Sequence, residues 1–387
     1  MEKEINRREF IQWTFAAASF CLAARGIAAP VYRGKDDPTR ALRDLPFKKD
    51  VHLTEARYYR AIGSMVQCVL CPEYCMLKDG EIGRCRVRLN KNRKLYSAVY
   101  GQPCSLALHP IEQGPIFHVY PGIRCLAIAT AGCNLRCKYC QNWQMSQFGA
   151  DETQNYDLSP KSVVQMALDN NCEAVVCTYT EPIVYAEYAM DVAKEAKRLG
   201  LKSIFVTAGY IDQEPMKEIG ECFDVVRIDL KGFTEKFYEK IVGGRLKPVL
   251  MALETAYKTS AWVEVVTLLV PNFNDSEEEI SALSKWIAEH LSPDVPLHLL
   301  RFFPAYKMRN FPPTPENILQ LAREAARNAG LKFVYIGNWP GNNAEHTYCP
   351  NCKRRIIQRV SYLAVVENNI VDGRCKFCGT AIPGRWS

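Results

Sequence analysis

Ala131-Gly132-Cys133-Asn134-Leu135-Arg136-Cys137-Lys138-Tyr139-Cys140 grows out of an apolar run over residues 125–131. Three thiolates spaced Cys-x3-Cys-x2-Cys suit three irons of a [4Fe–4S] cube, and no fourth cysteine stands close by to complete it. A cube with one open iron keeps a coordination position for a substrate or cofactor, whereas an all-cysteine cube carries electrons.

From this loop onward the chain alternates apolar runs with segments of helical periodicity. The runs expected as strands are 125–131, 174–179, 203–208, 225–230, 263–270 and 297–302. Between and after them, 159–170, 183–199, 213–220, 246–258, 276–291 and 316–329 carry apolar residues at helical spacing. Ser159-Pro160 and Thr314-Pro315 suit first turns, while Gly200 and Gly330 suit helix ends. Strand followed by helix, six times over, implies an α/β fold with a parallel sheet. Six units are too few for full closure, so a partial (β/α)6 TIM-like barrel is expected, with chemistry on loops at the C-terminal strand ends.

Several residues at those ends are candidates for the site. Tyr139 sits inside the cysteine loop, as a ligand contact or as a packed aromatic. Thr178-Tyr179-Thr180-Glu181-Pro182 ends the second strand with a carboxylate that either lines the site or caps the next helix. The third strand ends with Thr207 and Gly209, the glycine allowing close backbone approach to a ligand. Asp229 and Lys231 follow the fourth, where an unpaired buried charge would be costly; they line the site or form a structural ion pair. Asn274, Asp275 and Ser276 read as caps of the following helix. In the sixth strand alternation puts His298 and Arg301 on opposite faces, so that one of them points into the barrel as a catalytic candidate.

Together these stretches resemble the radical S-adenosylmethionine (SAM) proteins related to pyruvate formate-lyase activating enzyme. The narrower resemblance is to the radical SAM member of the AmmeMemoRadiSam system. It is carried by Ser105-Leu106-Ala107-Leu108-His109-Pro110-Ile111-Glu112, Ala131 to Ser146, Tyr179-Thr180-Glu181-Pro182, Asp229-Leu230-Lys231, Arg301-Phe302-Phe303-Pro304-Ala305-Tyr306-Lys307-Met308 and Tyr335-Ile336-Gly337-Asn338. The resemblance implies that Cys133, Cys137 and Cys140 hold a [4Fe–4S] cluster whose open iron binds SAM. It further implies that one-electron reduction, from a low-potential donor, cleaves SAM to methionine and a 5'-deoxyadenosyl radical that takes hydrogen from a substrate. Tyr139, Glu181, Thr207, Gly209 and Asp229 are then the expected SAM contacts, Asp229 alternatively touching a monovalent cation. Activating enzymes carry an aspartate and an asparagine where this chain has Val206 and Ala208.

Two further cysteine groups flank the barrel. Cys68, Cys71, Cys75 and Cys85 fall in one short segment and read as a metal site, either zinc or a second iron–sulfur cluster. Cys349-Pro350-Asn351-Cys352 and Cys375-Lys376-Phe377-Cys378 form two knuckles in a zinc-ribbon-like pattern, with rubredoxin-style iron as the other reading. The domain plan is a leader over 1–30, a linker over 31–60, the four-cysteine segment over 61–120, the core over 121–340 and the two-knuckle module over 341–387.

Cysteine usage is high, with 17 residues, yet a chain of 387 residues needs no disulfide staples. The excess of 49 Lys+Arg over 42 Asp+Glu is too small to imply nucleic acid. The basic run Arg84, Arg86, Arg88, Lys91, Arg93, Lys94 reads as a solvated face. Asn6-Arg7-Arg8-Glu9-Phe10-Ile11 before an alanine-rich apolar run looks like a twin-arginine export signal, the alternatives being an anchor or a vestigial leader on a cytoplasmic protein. Beyond the leader no segment reaches membrane-spanning length. The function classes in play are a radical SAM enzyme with a small-molecule substrate, a glycyl-radical activating enzyme with a protein substrate, and an iron–sulfur electron carrier or redox sensor.

Overall fold

Strands buried on both faces read as continuous apolar runs, and here such runs assemble one sheet. The computed structural model describes residues 50–386; the leader and most of the expected linker lie outside them. Within that span the main sheet has eight strands: β1 Ser105–Pro110, β2 Arg124–Ala129, β3 Ala174–Cys177, β4 Lys202–Thr207, β5 Val225–Asp229, β6 Trp262–Leu269, β7 Leu297–Arg301 and β8 Val334–Gly337. They lie in sequential order, β2 to β8 all parallel and β1 antiparallel to β2. Helices α1 Pro160–Asp169, α2 Ala186–Arg198, α3 Gln213–Cys222, α4 Leu246–Tyr257, α5 Glu277–His290 and α6 Glu316–Asn328 make the six crossovers. The six expected βα units are all present, followed by a seventh parallel strand. The sheet stays open, because its end strands β1 and β8 are not paired to each other.

Caps explain where the helices begin. Ser159 Oγ accepts from Ser162 N ahead of Pro160, and Ser276 Oγ accepts from Glu279 N ahead of an acidic first turn. Asp275 instead accepts from Asn272 N, so it closes the loop and leaves the cap to Ser276.

Parallel register puts Val206, Arg227 and Glu264 side by side on the inner face, with His298 beside Tyr335 on the neighbouring strands. Apolar residues of the segment that follows β1 (Ile111, Ile116, Val119) pack against Cys125, Ala127, Val176 and Ile204 inside the sheet. That segment plugs the N-terminal end of the barrel, the end away from the cysteine loop.

The four-cysteine segment is built from two small antiparallel sheets, and the end of the expected linker belongs to them. Thr54–Glu55 pairs with Ser97 and Tyr96, and Tyr59–Ile62 pairs with Met65–Cys68. Its basic run is not simply a solvated face. Arg88 is buried and forms a bidentate pair with Glu187 of α2, at 2.9 and 2.8 Å, while also donating to Arg57 O at 2.6 Å. The C-terminal module packs on the plugged end. Arg359 donates to Phe117 O at 2.7 Å, and Cys349, Ile356, Cys375 and Ile382 share a core with Phe117, Phe333 and Tyr335. No helix among the described residues is long and apolar enough to cross a membrane.

Removing one partner of a buried ion pair strands the other charge in low dielectric. Glu187→Gln is therefore expected to cost about 3–5 kcal/mol of stability, read as a lower urea midpoint with an unchanged slope.

Candidate active site

The cysteine loop starts where β2 ends, and its first turn depends on Gly132. Its φ is +91°, and a Cβ there would lie 2.6 Å from Cys85 O and 2.7 Å from Val87 Cγ1. Only glycine can take that backbone and that contact. The loop is then clamped from outside: Arg136 N donates to Val242 O and Lys138 N to Ile241 O, both at 2.9 Å, while Lys307 N donates to Lys138 O at 2.9 Å. Arg136 Nη1 ties the loop internally to Cys133 O and Leu135 O at 2.8 and 2.7 Å.

Sulfur environments differ along the loop. Leu135 N points at Cys133 Sγ from 3.4 Å, and Ser146 Oγ lies 3.3 Å from Cys140 Sγ. Burial raises all three thiols, Cys137 to about 12, so metal must displace their protons on binding. Around Cys137, Lys231 pulls in the opposite direction.

Glu181 is buried at the end of β3 and accepts three hydrogen bonds. Thr207 Oγ1 donates at 2.6 Å, Ala208 N at 2.9 Å and Ile183 N at 3.2 Å. The last is a cap of the short 3-10 turn Pro182–Tyr185, so the capping expectation holds, with the side chain buried and not solvent-exposed. Burial nevertheless lifts its carboxyl to about 7, against these donors and the nearby Lys231. Its charge is felt at Cys133.

Asp229 bonds Arg227 and receives Lys231 Nζ at 3.1 Å. Burial pushes the Asp229 carboxyl up, but Arg227 and Lys231 outweigh it and hold it below the usual range. Lys231 loses charge stability to burial and regains more from Asp229, Cys137 and Tyr139, so it stays an ammonium. The turn carrying it is held by Asn274, whose amide donates to Lys231 O at 2.7 Å and Leu268 O at 2.9 Å. From the sequence, Asn274 reads as a helix cap or a SAM contact, and its hold on the Lys231 turn was not anticipated. Tyr139 is buried with its hydroxyl lacking any hydrogen-bond partner, a polar atom awaiting a ligand beside the loop.

Three expectations are corrected. His298 does point inward, but low in the barrel, where its Nε2 meets Glu264 Oε2 at 2.6 Å and its ring stacks on Tyr335. Glu264 belongs to the N-terminal half of β6, so His298 serves the plugged end. Arg301 faces out, donating to Thr314 O at 2.9 Å and Glu316 at 3.3 Å, and fixes the entry to α6. Gly209, φ +68°, makes its close approach to Ile228 and Val249, where a Cβ would stand at 3.0 and 3.3 Å; strand-to-helix packing accounts for it.

Beside the loop lies a cavity of about 640 Å³, lined by Arg86, Arg136, Lys307, Trp143, Phe148 and Tyr306 among others. Trp143 and Tyr306 stack with centroids 5.2 Å apart. Tyr306 (φ +49°) and Tyr179 (φ +62°, just before Thr180-Glu181) hold left-handed backbone, as Tyr58, Tyr74 and Tyr120 do elsewhere, a conformation uncommon for aromatics. Nothing in the local sequence signals that strain.

The C-terminal cysteines are gathered differently. Cys349 and Cys378 sulfurs are 3.6 Å apart, Cys352 and Cys375 3.8 Å, and all four lie within 4.8 Å of one another. A zinc–sulfur bond of about 2.3 Å gives a tetrahedron edge of about 3.8 Å, so the set fits a single tetrahedral metal ion. Thr380 Oγ1, 3.2 Å from Cys378 Sγ, and the Thr380 backbone bring that thiol down to about 6.

Residues 127–283 match the family model of the Radical SAM superfamily. The chain is 42% identical over 332 residues to the uncharacterized protein MJ0808 of Methanocaldococcus jannaschii, covering 85% of this chain and 99% of that one. It is 29% identical over 171 residues to the pyruvate formate-lyase-activating enzyme of Clostridium pasteurianum, covering 43% of this chain and 70% of that one. Among solved structures, a radical SAM methyltransferase from Sphaerobacter thermophilus aligns over 85% of this chain and 88% of its own, at 13% identity and a TM-score of 0.47.

Purified chain is expected to carry about one zinc ion at the two knuckles, and Cys352→Ser with Cys375→Ser to lose it, as read by metal analysis. Thermal unfolding of that variant should show the C-terminal module destabilised.

Proposed function

As a member of the radical SAM superfamily, related to the pyruvate formate-lyase activating enzymes, the chain is a [4Fe–4S]- and SAM-dependent enzyme, and we propose the residues that carry its chemistry. Cys133, Cys137 and Cys140 hold three irons of the cluster. Bound there and reduced by one electron from a low-potential donor, the cluster with SAM supplies a 5'-deoxyadenosyl radical. The observation that carries the assignment is the convergence, at the C-terminal strand ends, of three thiols, a buried carboxyl and the Lys231 ammonium, which act on one another electrostatically.

The protein groups bind, orient and exclude water. Glu181 accepts from the amino group of SAM, its carboxylate aimed by Thr207 and Ala208. The unpartnered Tyr139 hydroxyl offers a hydrogen bond to the nucleoside side, and Asp229 keeps Lys231 charged beside Cys137. Trp143 and Tyr306 close over the loop. The cavity with Arg86, Arg136 and Lys307 admits a substrate bearing an anionic group, from which hydrogen is taken. A second reading, generation of a radical on a protein partner, draws on the names of the activating-enzyme relatives. It differs in that the hydrogen comes from a protein and not from a small-molecule substrate.

Anaerobically reconstituted and reduced protein given SAM should release 5'-deoxyadenosine, and a Cys133→Ala, Cys137→Ala, Cys140→Ala variant should release none. A reducible cluster at these cysteines, with SAM bound and no product, would overturn the reading.

Glu181 must be ionised to accept from SAM. With a carboxyl near 7 it is mostly protonated at pH 6 and mostly ionised at pH 8. SAM affinity is therefore expected to rise about tenfold across that window. Glu181→Gln should lower affinity at pH 8 by about 10- to 100-fold and flatten the pH dependence, both measured by equilibrium binding.

A further inference from the structure

Cys68, Cys71, Cys75 and Cys85 all line one cavity, shared with the apolar side chains of Leu70, Leu77, Ile183 and Val184. All four are free thiols. Backbone N–H groups of Glu73, Arg84 and Val87 point at the sulfurs of Cys71, Cys75 and Cys85, the Arg84 contact measuring 3.5 Å. Arg84 and Arg88 also line the cavity, Arg84 paired with Glu73 and Arg88 with Glu187. Paired cysteines would need none of this, and buried inert thiols would not converge on an enclosed space.

Size separates the two metals that accept four thiolates. Zinc draws its sulfurs to about 3.8 Å, as the C-terminal four are drawn. Among the described residues the C-terminal four are the one group drawn together tightly enough to share a single metal ion. A cube places each thiolate on a different iron, so its sulfurs stand farther apart than those around one ion. We propose that Cys68, Cys71, Cys75 and Cys85 bind a second [4Fe–4S] cluster, fully cysteine-ligated and packed directly against the SAM-binding loop.

The two sites are in contact. Asn134, between Cys133 and Cys137, lines the second cavity and interacts with Cys71. Gly132 packs on the carbonyl of Cys85, and Ile183 and Val184 follow Glu181 into the same wall. With every iron held by cysteine the second cluster has no open position, so it belongs to the electron-carrying class and does not bind SAM.

The test uses the full chain with Cys133→Ala, Cys137→Ala and Cys140→Ala, reconstituted anaerobically. It should retain about four irons and four sulfides, beside the knuckle zinc. After dithionite reduction it should give an electron paramagnetic resonance signal that SAM leaves unchanged. Two zinc ions and no iron, or one zinc and no iron, would each overturn the proposal. As a complement, Cys71→Ser with Cys75→Ser in the otherwise native chain should halve the iron, from about eight to about four, and keep a SAM-sensitive signal; iron unchanged at eight would also overturn it. The iron content of the loop variant does not depend on the function proposed above. Iron retained in that variant while the native protein forms no 5'-deoxyadenosine would defeat that function and leave the second cluster standing.

Discussion

A carboxylate sealed inside the barrel organises the half of the molecule away from the chemistry. Glu264 is fully buried, and a buried charge survives only if its oxygens are occupied. It takes His298 Nε2 at 2.6 Å, Phe117 N at 3.0 Å, His118 N at 2.9 Å and Trp262 Nε1 at 3.1 Å. Those donors come from strands β6 and β7 and from the segment after β1, so satisfying one carboxylate pins the plug in place. Burial alone would raise the Glu264 carboxyl, but His298, His118 and these N–H groups outweigh it and keep it ionised. Phe117 and His118 in turn contact Arg359 and Pro383, which seats the C-terminal module on the same end.

The opposite end follows the reverse logic. There the polar groups are buried but incompletely answered: Glu181 with its carboxyl lifted to about 7, Tyr139 with an idle hydroxyl, thiols raised by desolvation. Left-handed backbone at Tyr179 and Tyr306 adds strain in the same region. Chemistry at the C-terminal strand ends, with the plug and the C-terminal module packed at the other end, is the division expected of such barrels.

Three cysteine groups in one chain are told apart by geometry. The knuckle sulfurs stand close enough to share one ion, whereas the N-terminal four line a cavity beside the loop. Zinc and iron–sulfur chemistry use the same thiolate, so separation of the sulfurs, not residue type, carries the distinction.

Much of this was legible in the residues alone. All six helices end within three residues of where periodicity, Ser-Pro starts and terminal glycines place them, because caps and amphipathic spacing act over single turns. The cysteine loop, Glu181 and the Asp229–Lys231 turn were readable for the same reason: they lie at ends of apolar runs. Strands β1 and β8 were not anticipated; β8 is four residues long and becomes a strand through pairing with β7. Nor did composition reveal that Arg88 is buried against Glu187, that His298 answers Glu264, or that Gly132 makes room for Cys85. Each of these joins residues tens to a hundred positions apart. Sequence therefore determined the local elements and the chemistry they carry, while only the tertiary structure decided which charges are buried together, since that depends on long-range register and no single segment encodes its partner.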